Sequence, residues 1–150
     1  MTFSVAAIII HKGKYLFQKR DKKSGIFYPN YFGLFGGNSS GKEKPKDTII
    51  RELNEETNLK FKKIKHFLTI KLESSSFNPK KSSIFRRHVY ICKLPVDFKK
   101  KIKLQEGQSF RFFDVRKNNS IKFVSFDFAV ANYHYLLKSK KKIIPEEYLK

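Results

Sequence analysis

Residues 37–59, GNSSGKEKPKDTIIRELNEETNL, decide the reading of this chain. Gly37 is followed after five residues by Glu43, and after seven more by Arg51-Glu52-Leu53. One residue later come Glu55 and Glu56, and then Leu59. Three carboxylates thus fall within five positions of a chain whose net charge is +20. Pro45 suits a first helical turn because its missing N–H is not needed there. Asp47 in the same turn complements the helix dipole. Ile49, Ile50 and Leu53 recur at spacings of three and four, so they predict one apolar face. At about 100° per residue, Glu52, Glu55 and Glu56 fall together beside that face. Asn58 is a natural stop, since Asn tolerates the left-handed conformation. A helix over Pro45–Thr57 follows, preceded by a flexible loop over Gly36–Gly41. Clustered carboxylates repel one another, and hard divalent cations seek such oxygen ligands beside phosphates. A solvated face with an ordinary Arg51–Glu55 pair is the competing reading of the helix alone.

The spacing back to Glu43 and Gly37 resembles the signature box of the Nudix (MutT-like) hydrolases. It matches every fixed position of that box except one, where Asn58 stands in place of Gly. Both residues reach positive φ, so the departure touches local stability more than chemistry. The resemblance implies an α/β fold, a Nudix-type α/β/α sandwich with a mixed sheet between helices. It implies hydrolysis of a nucleoside diphosphate linked to another group X, with Mg2+ or Mn2+. It places metal at Gly37 (through its carbonyl), Glu52, Glu55 and Glu56, with Glu52 or Glu56 as base. Glu43 and Arg51 would pair and orient the helix. Leu104-Gln105-Glu106-Gly107-Gln108 is similar to a late stretch in nucleotide-sanitising members, which adds Glu106 as a metal ligand. Arg20 falls where members carry a basic residue near phosphates. Ser125 and Asp127 occupy the place of base-contacting polar residues before the final helix. Asn38, in the glycine loop, joins the candidate substrate contacts. Phe35, or an aromatic of the Phe77 loop, is the candidate for stacking on a base. Many members have Pro where Phe35 stands.

The chain has 150 residues, enough for one domain over 1–150 with a sizeable core. Hydrophobic residues make up 40 % and aromatics 15 %, which argues against disorder. Cys92, the one cysteine, lies in an apolar strand pattern and reads as a core residue. The four histidines keep no metal-ligand spacing and read as surface or satisfied groups. No signal peptide or membrane-length apolar run is evident, so a cytoplasmic protein without membrane contact is expected. The basic charge favours anionic partners such as nucleotides, and nucleic acid in a salt-dependent way.

Strands are expected over Phe3–Ile10, Tyr15–Lys19, Tyr31–Leu34, Phe61–Leu72, Ile84–Leu94 and Ser109–Val115. Loops are expected over Ser74–Ser83 and Pro95–Lys103, a second helix over Phe126–Leu137, and a peripheral tail from about 139. The substrate reading is a nucleoside triphosphate, including oxidised forms such as 8-oxo-dGTP, split to a monophosphate and pyrophosphate. Alternatives are a nucleotide sugar, a dinucleoside polyphosphate, the 5′ pyrophosphate of RNA, or a non-catalytic nucleotide- or nucleic-acid-binding module.

Overall fold

The computed structural model of the chain describes residues 3–23, 25, 28–73, 84–117 and 120–139. The expected Ser74–Ser83 loop, the Phe77 aromatic and the tail beyond 139 lie outside them. The long strand β1 (Phe3–His11) organises the sheet. Its Val- and Ile-rich middle is buried from Ser4 to Ile9, as a central strand requires. On one side it pairs in parallel with β6 (Ile84–Cys92), from Phe3↔Arg86 to Ile9↔Cys92. On the other side it divides. Ser4–Ala7 pair antiparallel with β4 (Phe35–Asn38), while Ile10 and His11 pair with β2 (Lys14–Lys19). Strand β2 carries β3 (Phe32–Gly33) and β7 (Ser109–Phe113). Strand β5 (Ile64–Glu73) closes the far edge against β6.

Helix α1 (Pro45–Thr57) and helix α3 (Ser125–Lys138) cover opposite faces of this mixed sheet. Ile49 and Leu53 of α1 pack with Val5, Ala7, Leu16 and Phe35. Val130 and Ala131 of α3 pack with Ala6, Ile8, Phe17 and Val89. The α/β/α sandwich is therefore as expected. Helix α1 also has the expected bounds, with Pro45 in its first turn. Asn58 takes the left-handed conformation at φ 61°, and its N–H donates to the Asn54 carbonyl at 2.9 Å.

Four local expectations need correction. Gly36-Gly37-Asn38 is not free loop but the end of β4, held by Ala6, Val5 and Ser4. Pro95–Lys103 contains a short helix, α2 (Phe98–Lys101), which sets the buried Phe98 into the core. Strand β5 starts at Ile64, because Leu59 and Phe61 are buried in the α1-side core before pairing begins. Ile50 does not share the buried face of α1. It is 42 % exposed, and Thr48, Glu56 and Thr57 take the inward positions beside Ile49 and Leu53. Cys92 is buried as expected, and burial pushes its thiol up to about 12.

Leu53→Ala should cost about 2–5 kcal/mol of stability, and Ile50→Ala well under about 1 kcal/mol, in denaturant unfolding. His134 of α3 is buried, and its Nδ1 lies 2.8 Å from the Tyr15 hydroxyl. Burial and, less, Lys138 hold its pKa below the ordinary imidazole value. The unfolded chain therefore binds a proton that the folded chain resists. That contribution to stability is complete above about pH 6.5 and is lost as pH falls towards the lowered folded value. His134→Gln should remove this part of the acid slope, read as the wild-type-minus-variant stability across pH 5–8.

Candidate active site

The site forms where β4 runs beside α1. The Glu52 carboxylate lies so close to Gly37 that a Cβ there would stand 2.4 Å from its Cδ. At Gly36, φ is +155° and a Cβ would stand 2.0 Å from the Val5 carbonyl oxygen. Gly36 is therefore demanded by the neighbouring strand backbone, whereas a side chain at Gly37 would push the Glu52 carboxylate aside.

Arg51 gathers the glutamates. Its Nε and Nη2 donate to the two oxygens of Glu43 at 2.8 and 3.1 Å. Its Nη1 donates to Glu52 at 2.9 Å and to Glu55 at 3.1 Å. The remaining Nη2 hydrogen goes to the Asn38 carbonyl at 3.0 Å. All five donors of a guanidinium fork are thus engaged, which a lysine could not reproduce. Hydrogen bonds from Arg51 hold Glu43 below the usual carboxyl range. Glu43 also accepts from the Ser40 N–H at 2.8 Å, which ties down the loop before α1.

Glu56 is the buried member, 3 % exposed. Its carboxylate accepts from the Gly36 N–H at 3.2 Å and bonds the Gln18 side chain. Desolvation first, and the negative charges of Glu52 and Glu106 next, push its pKa well above the ordinary value. Glu52, whose side chain is 12 % exposed, is raised by burial too, against the pull of Arg51. Glu55 is 49 % exposed at the rim. Glu106 is exposed but close enough for its charge to act on both Glu52 and Glu56. The loop that carries it is pinned to the end of α1 by Lys103 N–H to Thr57 O and Gln105 N–H to Glu56 O, each 3.0 Å.

The sequence-predicted acids are thus brought to one patch. No three His, Cys, Asp or Glu side chains among the described residues stand close enough to ligate one ion. Glu52 and Glu55 turn to Arg51, and Glu56 turns to Gly36. The donor set nonetheless fits a hard divalent cation. Two partly or fully buried carboxylates with depressed acidity, beside a strand glycine, are a site that positive charge stabilises.

The substrate candidates separate. Asp127 is 3 % exposed and does not cap α3. Its Oδ2 accepts from the Leu34 N–H at 2.9 Å, and its Oδ1 pairs with Arg87 at 2.9 Å. Arg20 lies between the two clusters: burial lowers its pKa, while Asp127, Arg87 and Glu56 all act on its charge. Ser125 is exposed in the first turn of α3. Asn38 contributes its carbonyl to Arg51, and its side chain is exposed. Phe35 is a correction. It is 0 % exposed, because pairing with Ala7 turns its ring into the core and leaves no face for a base. Sequence reasoning missed Gln18 and Arg87. Each shares strand parity with a buried apolar residue, Gln18 with Leu16 and Arg87 with Val89, and that misplaced polarity was the available signal.

Comparison with known proteins agrees with this arrangement. The NUDIX domain family profile matches residues 1–136. No curated protein matches the chain in sequence. Among solved structures, the chain is similar to the MutT protein from Methanosarcina mazei Go1, with 20 % identity and a TM-score of 0.71 over 93 % of this chain and 95 % of that one. It is similar to the E. coli dihydroneopterin triphosphate pyrophosphohydrolase, with 14 % identity and a TM-score of 0.70 over 90 % and 95 %. A third is the NUDIX domain of Shewanella oneidensis NrtR complexed with ADP ribose, with 16 % identity and a TM-score of 0.67 over 93 % and 88 %. At these identities the structures speak for the fold, and the profile, which spans most of the chain, speaks for the family. This chain belongs to the NUDIX domain family and is a hydrolase of phosphoanhydride bonds.

Proposed function

We propose that the chain is a nucleoside triphosphate pyrophosphohydrolase, oxidised nucleotides such as 8-oxo-dGTP included. Water attacks one phosphorus of the α–β phosphoanhydride of the triphosphate, the bridging oxygen leaves on the other phosphorus, and the products are a nucleoside monophosphate and pyrophosphate. The observation that carries the reading is the buried Glu56 beside Glu52 and Gly37, with Arg20 linking this cluster to Asp127. Family members generally depend on a divalent metal. In this chain Glu52, Glu55, Glu56, Glu106 and the Gly37 carbonyl are the residues that would hold Mg2+ or Mn2+. When bound, such an ion neutralises phosphate oxygens and makes water a better nucleophile near neutral pH.

The chain's own residues supply the rest. Glu52 or Glu56 accepts the proton of the attacking water, a role suited to carboxylates whose proton affinity burial has raised. Arg51 holds Glu52 and Glu55 at the patch and fixes the loop through Glu43. Arg20 offers positive charge to the phosphates. Ser125, exposed in the first turn of α3, offers its hydroxyl towards the base, and Asp127, whose oxygens are taken by Arg87 and the Leu34 N–H, holds the strand end beneath it. The likeness to a triphosphate pyrophosphohydrolase fold supports a triphosphate, as the ADP ribose complex of another neighbour supports nucleotide-derived substrates in general.

The deciding assay is product identity with Mg2+ across nucleoside triphosphates (normal and oxidised), nucleotide sugars, dinucleoside polyphosphates and 5′-triphosphate RNA. Triphosphates should give monophosphate and pyrophosphate. Faster cleavage of another class would displace the substrate assignment, and cleavage of none would leave a binding module. Glu56→Gln should lower kcat by about 10²–10⁴-fold with the fold retained. In chelator the same change should stabilise the chain above about pH 5. A raised carboxyl pKa means that wild-type stability falls as pH rises from the ordinary carboxyl value, about 4.3, through the raised one. Gly37→Ala should abolish turnover while Glu52 is displaced, and Mg2+ should no longer raise the melting temperature. Unchanged kinetics in Gly37→Ala would show that the glycine contact has no part in the site.

A further inference from the structure

Away from the carboxylates, a cavity of about 450 Å3 opens beside the β1–β2 hairpin. Its floor is aromatic. The His11 ring packs edge-on against Phe98 at 5.0 Å and tilted against Phe112 at 5.6 Å between centroids. His11 and Phe112 are only partly covered. Its rim is basic: Lys12, Lys14 and Lys99 are all exposed and line it. No described carboxylate pairs with any of the three. The nearby Asp97 pairs instead with Lys101 at 2.8 Å.

The rim is also held in shape. Lys12 and Gly13 both have positive φ, at 50° and 76°, as a tight two-residue hairpin turn requires. A lysine seldom adopts this conformation, and here it sets Lys12 in the turn itself with Lys14 directly after it. The lysine rim lies at the far end of β1 from the carboxylates, although the inner wall is nearer, since Phe110 pairs with Gln18, the side chain that bonds Glu56. Glu56 contacts Gly36, which pairs with Ala6, whereas the lysine turn begins at His11. Five residues of strand are about 17 Å.

We infer that this cavity is a second site for a nucleoside phosphate, with its base against the His11–Phe112 floor and its phosphate among Lys12, Lys14 and Lys99. The size falls within the roughly 300–1,000 Å3 of small-molecule pockets. Aromatic floor and cationic rim are the two elements by which proteins hold single nucleotides or unpaired strand units without reading sequence. The ligand is either a free nucleotide or one unit of a single strand. This inference goes beyond the hydrolytic reaction and does not depend on which substrate is cleaved.

The test uses the full chain in chelator, titrated with AMP, with ribose 5-phosphate, and with a ten-residue oligothymidylate. One variant carries Lys12→Glu, Lys14→Glu and Lys99→Glu. A second, matched in charge, carries Lys62→Glu, Lys65→Glu and Lys71→Glu near and on the β5 edge. The hairpin variant should weaken binding by roughly tenfold or more and the matched variant far less, since local contacts outlast the screened general field. AMP should bind about tenfold more tightly than ribose 5-phosphate, through stacking of the base. Saturable AMP binding lost in the hairpin variant identifies a free-nucleotide site. Loss confined to the oligothymidylate identifies a strand-binding one. Equal losses in both variants, equal affinity for AMP and ribose 5-phosphate, or no binding of either nucleotide probe would overturn the site. Turnover with Mg2+, measured alongside, should stay near wild type in the hairpin variant, so failure of this site and failure of the proposed reaction are read separately.

Discussion

A single guanidinium governs the carboxylate patch. Arg51 spends each of its five hydrogens on a different acceptor position, reaching Glu43, Glu52, Glu55 and the Asn38 carbonyl. Those acceptors belong to the loop, the helix and the end of β4. One side chain therefore joins the three segments whose relative placement defines the site. It also offsets the repulsion that three helical glutamates would otherwise create. Ion pairs at surfaces stabilise little, and Arg51 is 31 % exposed, so its value is geometric more than energetic.

The core makes that geometry possible. Leu53 and Ile49 anchor α1 on the sheet, and Phe35 anchors β4 from the same side. With both fixed, the Glu52 carboxylate rests directly against Gly37. Glu56 is then carried inward by the helix turn that buries Leu53, and it has to find Gly36 and Gln18 as partners. Burial of this acid costs stability. Such a cost at one position, in a helix otherwise consistent with its sequence, is what functional sites show.

A second polar cluster lies on the α3 side. Asp127, Arg87 and the Leu34 N–H form a closed set, and Arg20 stands between it and Glu56. Breaking the buried pair by removing one partner would leave the other charge uncompensated. Charges from both sides of the sheet thus meet around Arg20, just after β2.

Much of this was legible in the chain. The spacing of Arg51, Glu52, Glu55 and Glu56 specified helix α1 and its acidic patch together, because helical geometry converts spacing into a shared patch. Pro45 and Asn58 marked the ends of α1 for local reasons that need no tertiary partner. The Val- and Ile-rich run at Phe3–Ile10 placed the central strand, and alternation after α1 placed the next long one. What lay beyond the sequence depended on pairing and depth. Only strand pairing with Ala7 turned Phe35 inward, and only the packing of α1 decided that Ile50 faces water while Glu56 does not. Arg87 and Asp127 are 40 residues apart, and no local pattern announces their meeting. Local sequence determines conformation through short-range sterics and periodicity, whereas burial and long-range charge pairing exist only once the sheet has brought distant residues together.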